Sequence, residues 1–64
     1  MLQGKVAEIR YERGYGFVKE ALSGQLIRFN IGTNERDLNI NDRIEFRVID
    51  LDPGKEAFVI RKLG

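Results

Sequence analysis

The segment Arg43-Ile44-Glu45-Phe46-Arg47-Val48-Ile49 alternates between charged and apolar residues. That is the period of a strand with one buried and one wet face, so Ile44, Phe46 and Val48 are expected inward, with Glu45 and Arg47 outward. No stretch sustains the 3.6-residue period of an amphipathic helix. Four further segments have the β-branched and aromatic content of strands: Lys5–Tyr11, Tyr15–Glu20, Gln25–Phe29 and Glu56–Lys62. Turn chemistry separates them at Glu12-Arg13-Gly14, Ser23-Gly24 and Asp52-Pro53-Gly54-Lys55, the last with Pro presetting φ and Gly accepting positive φ. The long connection, Asn30–Asp42, carries four Asn, with Ile31, Leu38 and Ile40 as apolar anchors and room for no more than one helical turn.

Sixty-four residues suffice for one domain, spanning 1–64, because a second would have no core of its own. Five short strands in one small domain are expected to bury their apolar faces by closing on themselves. The expected fold is therefore all-β, a five-stranded antiparallel barrel. The chain contains no Cys and no His, which leaves no disulfide, no thiolate or imidazole metal site and no near-neutral acid or base. Asp37, Asp42, Asp50 and Asp52 read as solvated turn carboxylates. Gly14-Tyr15-Gly16 is not followed by a helix, as a dinucleotide loop requires. The chain is accordingly expected to be non-enzymatic, with no metal, cofactor or small-molecule substrate. No apolar run reaches the ~18 residues of a membrane span, and Met1-Leu2-Gln3-Gly4-Lys5 lacks a signal-peptide core. A soluble, cytoplasmic monomer is expected.

Eleven basic and ten acidic residues give a net charge of +1, so there is no global positive field to hold a duplex. Any affinity for nucleic acid must be local. In Tyr15–Glu20, side-chain alternation puts Tyr15, Phe17 and Lys19 on one face and Gly16, Val18 and Glu20 on the other. Periodicity alone allows either face to be the core. The small Gly16-Val18 face suits the crowded interior of a five-stranded barrel, leaving Tyr15 and Phe17 outside, between Arg13 and Lys19, as a platform on which bases stack.

Arg13-Gly14-Tyr15-Gly16-Phe17-Val18 resembles the first nucleic-acid-binding motif of bacterial cold-shock domains, Lys-Gly-(Phe/Tyr)-Gly-Phe-(Ile/Val), with Arg in place of Lys. Met1–Val6 is similar to the family's opening, Asn41–Phe46 to its fourth strand, and Gly54–Ala57 with Ile60 to its last. The resemblance implies an oligonucleotide-binding (OB) barrel that binds single-stranded RNA or DNA and acts as an RNA chaperone or regulator. The second family motif, Val-Phe-Val-His-Phe, corresponds to Gln25-Leu26-Ile27-Arg28-Phe29, so Leu26 and Arg28 replace a stacking Phe and a His. Glu8 and Ile9 stand where the family places Trp and Phe, and Gly32–Asn41 contains no ring. The resemblance thus implies a thinned platform of Tyr15, Phe17 and Phe29, with Arg28 and Lys5 as basic help and Leu26 beside them. Arg13 and Lys19 flank it by the strand pattern, and Tyr11 and Arg10, which the family does not usually place there, are expected to shift its preference. Glu8 should repel phosphate. Two other readings stand beside this one: a barrel whose thinned aromatic face contacts another protein or a second copy, and a barrel of the ribosomal or translation-factor type.

Overall fold

The computed structural model describes residues 1–31, 38–50 and 54–63. Five strands, β1 (Leu2–Arg10), β2 (Tyr15–Glu20), β3 (Leu26–Asn30), β4 (Arg43–Asp50) and β5 (Lys55–Leu63), close in the order β1-β2-β3-β5-β4. This is an OB-like barrel. One feature differs from the expected fold: β3 and β5 run parallel, with Arg28 beside Glu56 and Phe29 beside Ala57, while the other four neighbouring pairs are antiparallel. The reason is parity. A closed ring with an odd number of strands cannot alternate direction all the way round, so at least one parallel contact is unavoidable. None of the described residues forms a helix long and apolar enough to cross a membrane.

Val6, Val18, Ile27, Phe29, Leu38, Ile44, Phe46 and Ala57 are buried together, with Ile9, Ile31, Val48 and Val59 packed against them. Ile44, Phe46 and Val48 point inward as the alternation requires. Of the anchors expected in the long connection, Leu38 is core and Ile31 packs at its edge, but Ile40 is exposed. Residues 32–37 of that connection, Asp37 among them, lie outside the described residues, as does Asp52 of the β4–β5 turn, and the described part of the connection forms no helical turn.

β1 begins at Leu2, earlier than its own sequence pattern indicates, because Leu2, Gln3, Gly4 and Lys5 pair with Phe46, Glu45, Ile44 and Arg43 of β4. It ends at Arg10. Tyr11 turns away and donates its hydroxyl hydrogen bond to the Leu38 carbonyl, tying the connection to the barrel. Within β1, Val6 lies opposite Val18 but Glu8 lies opposite Phe17, so Ala7 is an extra residue, a β-bulge. Without it, strict alternation would put Glu8 on the same face as Val6. The bulge instead keeps Val6 and Ile9 inside and moves Glu8 and Arg10 to the outer face of β2.

The β2–β3 turn is organised by Glu20, which is buried. Its carboxylate accepts hydrogen bonds from the Leu22 amide at 2.6 Å and the Ser23 amide at 3.0 Å. These hold the Glu20 carboxyl below the ordinary carboxylate value. Asp42 is shifted the same way, chiefly by the Asn39 amide and then by Lys62. A carboxyl whose pKa is lowered by folding contributes its full stabilisation above its unfolded value, about 4.3 for Glu, and loses it as pH falls through the lowered one. Denaturant melts should therefore show stability flat between about pH 5 and 7 and falling below about pH 4. Glu20→Gln, which keeps an acceptor but cannot titrate, should fall less steeply. Parallel profiles would remove Glu20 from this role.

Candidate nucleic-acid interface

Tyr15 and Phe17 both stand on the outer face of β2, half-buried, their rings edge to face with centroids 6.0 Å apart. Gly16 between them faces inward and could not carry a side chain. A Cβ there would lie 2.5 Å from the Glu8 carbonyl oxygen and 2.8 Å from Cε1 of Phe29. The Phe29 ring fills the space under Gly16, and Val18 beside it is fully buried. This is the packing reason the two rings of β2 point out: the inner side of the strand is already occupied.

The same packing corrects one expectation. Phe29 is 0% exposed, so it is core and not part of the platform. On β3 the outward positions are Leu26, which is 62% exposed, and Arg28. Arg28 lies opposite Phe17, and its guanidinium carbon sits 4.5 Å from the centroid of the Tyr15 ring, a cation–π contact. A base can therefore stack directly on Phe17, or on the guanidinium plane that Tyr15 backs.

On the other side of β2, Glu8 is opposite Phe17 and Arg10 is opposite Tyr15. Arg10 Nε donates to Glu8 Oε2 at 3.2 Å, and both side chains are about half exposed. The pair couples one group that would attract phosphate to one that would repel it, and neither acts at full strength. Arg13 is exposed in the turn between β1 and β2, where its amide donates to the Arg10 carbonyl. Gly14 follows at φ +77°, a left-handed turn conformation with no room penalty for Gly. Lys19 and Leu26 are paired one step further along the face, and Lys5 is opposite Lys19. The interface thus gathers Tyr15, Phe17 and Arg28 at its centre, with Glu8, Arg10, Lys19 and Leu26 at its edges. Lys5 is displaced toward β4. No family model and no curated protein matches the chain.

Sequence reasoning missed two features of this surface. Phe58 of β5 is 46% exposed and lies opposite Arg47. Glu56, the previous outward residue of β5, lies beside Arg28 and accepts a hydrogen bond from Asn30 at 2.7 Å. Alternation along Glu56–Val59, anchored by Ala57 as the small inward residue, carries the signal for Phe58. The displacement of Glu8 by the Ala7 bulge has no comparable signal in a single strand.

Of the turn carboxylates, Asp42 and Asp50 are among the described residues. Asp42 accepts from the Asn39 amide and pairs with Lys62 at 3.2 Å, and among the described residues no group of three or more His, Cys, Asp or Glu side chains is placed to hold a metal ion.

Proposed function

We propose that this chain binds single-stranded nucleic acid, RNA or DNA, by stacking bases on Phe17 and on the Tyr15–Arg28 pair. The observation that carries the reading is that two rings and a guanidinium stand together on the outer wall of a barrel whose inner wall at that point is full. The likeness of Arg13–Val18 to the first cold-shock motif supports the same reading, and with it a role as a cytoplasmic RNA chaperone or regulator of the cold-shock type. The function is binding, not catalysis. Stacking contributes about 1–3 kcal/mol per base, so two stacks with phosphate contacts reach the ~8 kcal/mol of a micromolar complex.

The second reading, docking of another protein, draws on the exposed Leu26, Ile49 and Phe58. Salt separates the two. Binding of a single strand releases counterions, so log K should fall with log salt by about 0.7 per phosphate contacted, whereas an apolar protein contact changes little. Titration of a labelled pyrimidine oligonucleotide at low and moderate salt tests this. Micromolar binding that weakens steeply with salt is expected; absence of binding at low salt would overturn the proposal.

Glu8 provides a finer test. Glu8→Gln removes a negative charge opposite Phe17 and frees Arg10, so it should tighten oligonucleotide binding several-fold at low salt and by less as salt rises. An unchanged affinity would show that the Glu8–Arg10 pair is neutral toward the ligand.

A further inference from the structure

One row of outward positions crosses all five strands: Leu26, Lys19, Lys5, Arg43 and Leu63 are successive neighbours on β3, β2, β1, β4 and β5. Three consecutive members of this row are cations. All three are exposed, and none makes an ion pair or side-chain hydrogen bond among the described residues. Three cations elsewhere on the barrel are matched, Arg10 with Glu8, Arg61 with Glu45 and Lys62 with Asp42. Arg13, Arg28, Arg47 and Lys55 stand without an ion pair among the described residues but do not lie side by side in one row. Like charges directly opposite one another destabilise a strand pair, and here the arrangement occurs twice in succession.

The three cations also border a groove of about 420 Å³, together with Gln3, Gly4 and Ala21. Glu20 reaches the same groove, but its carboxylate is engaged by the Leu22 and Ser23 amides. The groove is therefore bordered by three cations and one carboxylate, and that carboxylate is already held by two backbone amides. With strands about 4.8 Å apart, the row spans about 10 Å, room for one or two phosphate groups.

The groove is continuous with the ring patch. Lys19 is the next outward residue after Phe17, about 7 Å along β2. We propose that Lys5, Lys19 and Arg43 form a phosphate subsite that takes the sugar–phosphate backbone of a single strand as it leaves the Tyr15–Phe17 patch. This rests on the reading of the chain as a single-strand binder and assigns the path of that strand: down β2, past Leu26, and across β1 to β4. The cationic row is built by the register of β1 against its neighbour β2 and against the distant β4.

The test compares wild type with Lys5→Gln/Arg43→Gln, which leaves every ring and the core untouched, on labelled oligonucleotides of about four and about ten nucleotides, within the range of OB footprints. For the longer oligonucleotide at low salt, the variant should bind at least about tenfold more weakly and lose about 0.7 in salt slope for each phosphate released. The short one, held by the rings, should bind as before. The variant should melt at the same temperature as wild type or higher, since its like charges are relieved. Unchanged affinity and slope for the longer oligonucleotide would overturn the subsite, and so would an equal loss at both lengths, which marks a diffuse field. In either case ring variants that still weaken binding leave the single-strand reading standing. If wild type binds neither oligonucleotide, that reading falls and the subsite with it.

Discussion

Phe29→Ala is expected to unfold the barrel or bring it to the edge of unfolding. The ring is fully buried and fills the space beneath Gly16, where even a Cβ would find its Cε1 at 2.8 Å and its Cζ at 2.9 Å. Truncating a buried Phe costs about 3–5 kcal/mol, part of it for the cavity left behind. At about 0.05–0.15 kcal/mol per residue, a chain of 64 residues has only about 3–10 kcal/mol in total. Thermal melting followed by far-ultraviolet circular dichroism should show the transition lowered by on the order of 15 °C or more, or lost. A variant that melts like wild type but binds oligonucleotide more weakly would return Phe29 to the platform.

Phe29 also shows how the sequence could be misread. The likeness to the second cold-shock motif assigns it to the binding face. Yet the period of the strand puts Phe29 with Ile27, opposite to Leu26 and Arg28, and the barrel follows the period. The inward positions of β4 are legible for the same reason, and the outward pair on β2 from the period together with the small size of its Gly16-Val18 face. Each is a short strand with two unlike faces, where a slip of one residue would expose the core.

What could not be read depends on relations between strands. The Ala7 bulge transfers Glu8 and Arg10 to the ring face, and nothing in the composition of β1 marks it. The parallel β3–β5 contact follows from closure, which an inventory of strands does not specify. Arg43 meets Lys5 only because the first residues of the chain, whose own pattern is weak, pair with β4. The bond from the Tyr11 hydroxyl to the Leu38 carbonyl likewise joins parts of the chain that strand-by-strand reading does not connect.

The second large effect concerns the two exposed rings. Tyr15 and Phe17 lie outside the buried core, half-buried on the outer wall, so removing them should leave the fold in place. Phe17→Ala removes a stacking surface and should weaken binding by about 1–3 kcal/mol, roughly five- to 150-fold. Tyr15→Ala removes the ring that backs the Arg28 guanidinium, so it should weaken binding comparably and abolish most of what Arg28 contributes. Because Arg28 acts through Tyr15, Arg28→Gln should cost less in the Tyr15→Ala background than in wild type.

The central claim is that bases stack on the outer wall of β2. Its most direct test is titration of one labelled pyrimidine oligonucleotide against wild type and Tyr15→Ala/Phe17→Ala at low salt, with circular dichroism confirming that both are folded. Wild type should bind at micromolar concentrations and the folded double variant at least about 30-fold more weakly. Equal affinity of the two folded proteins would contradict the account.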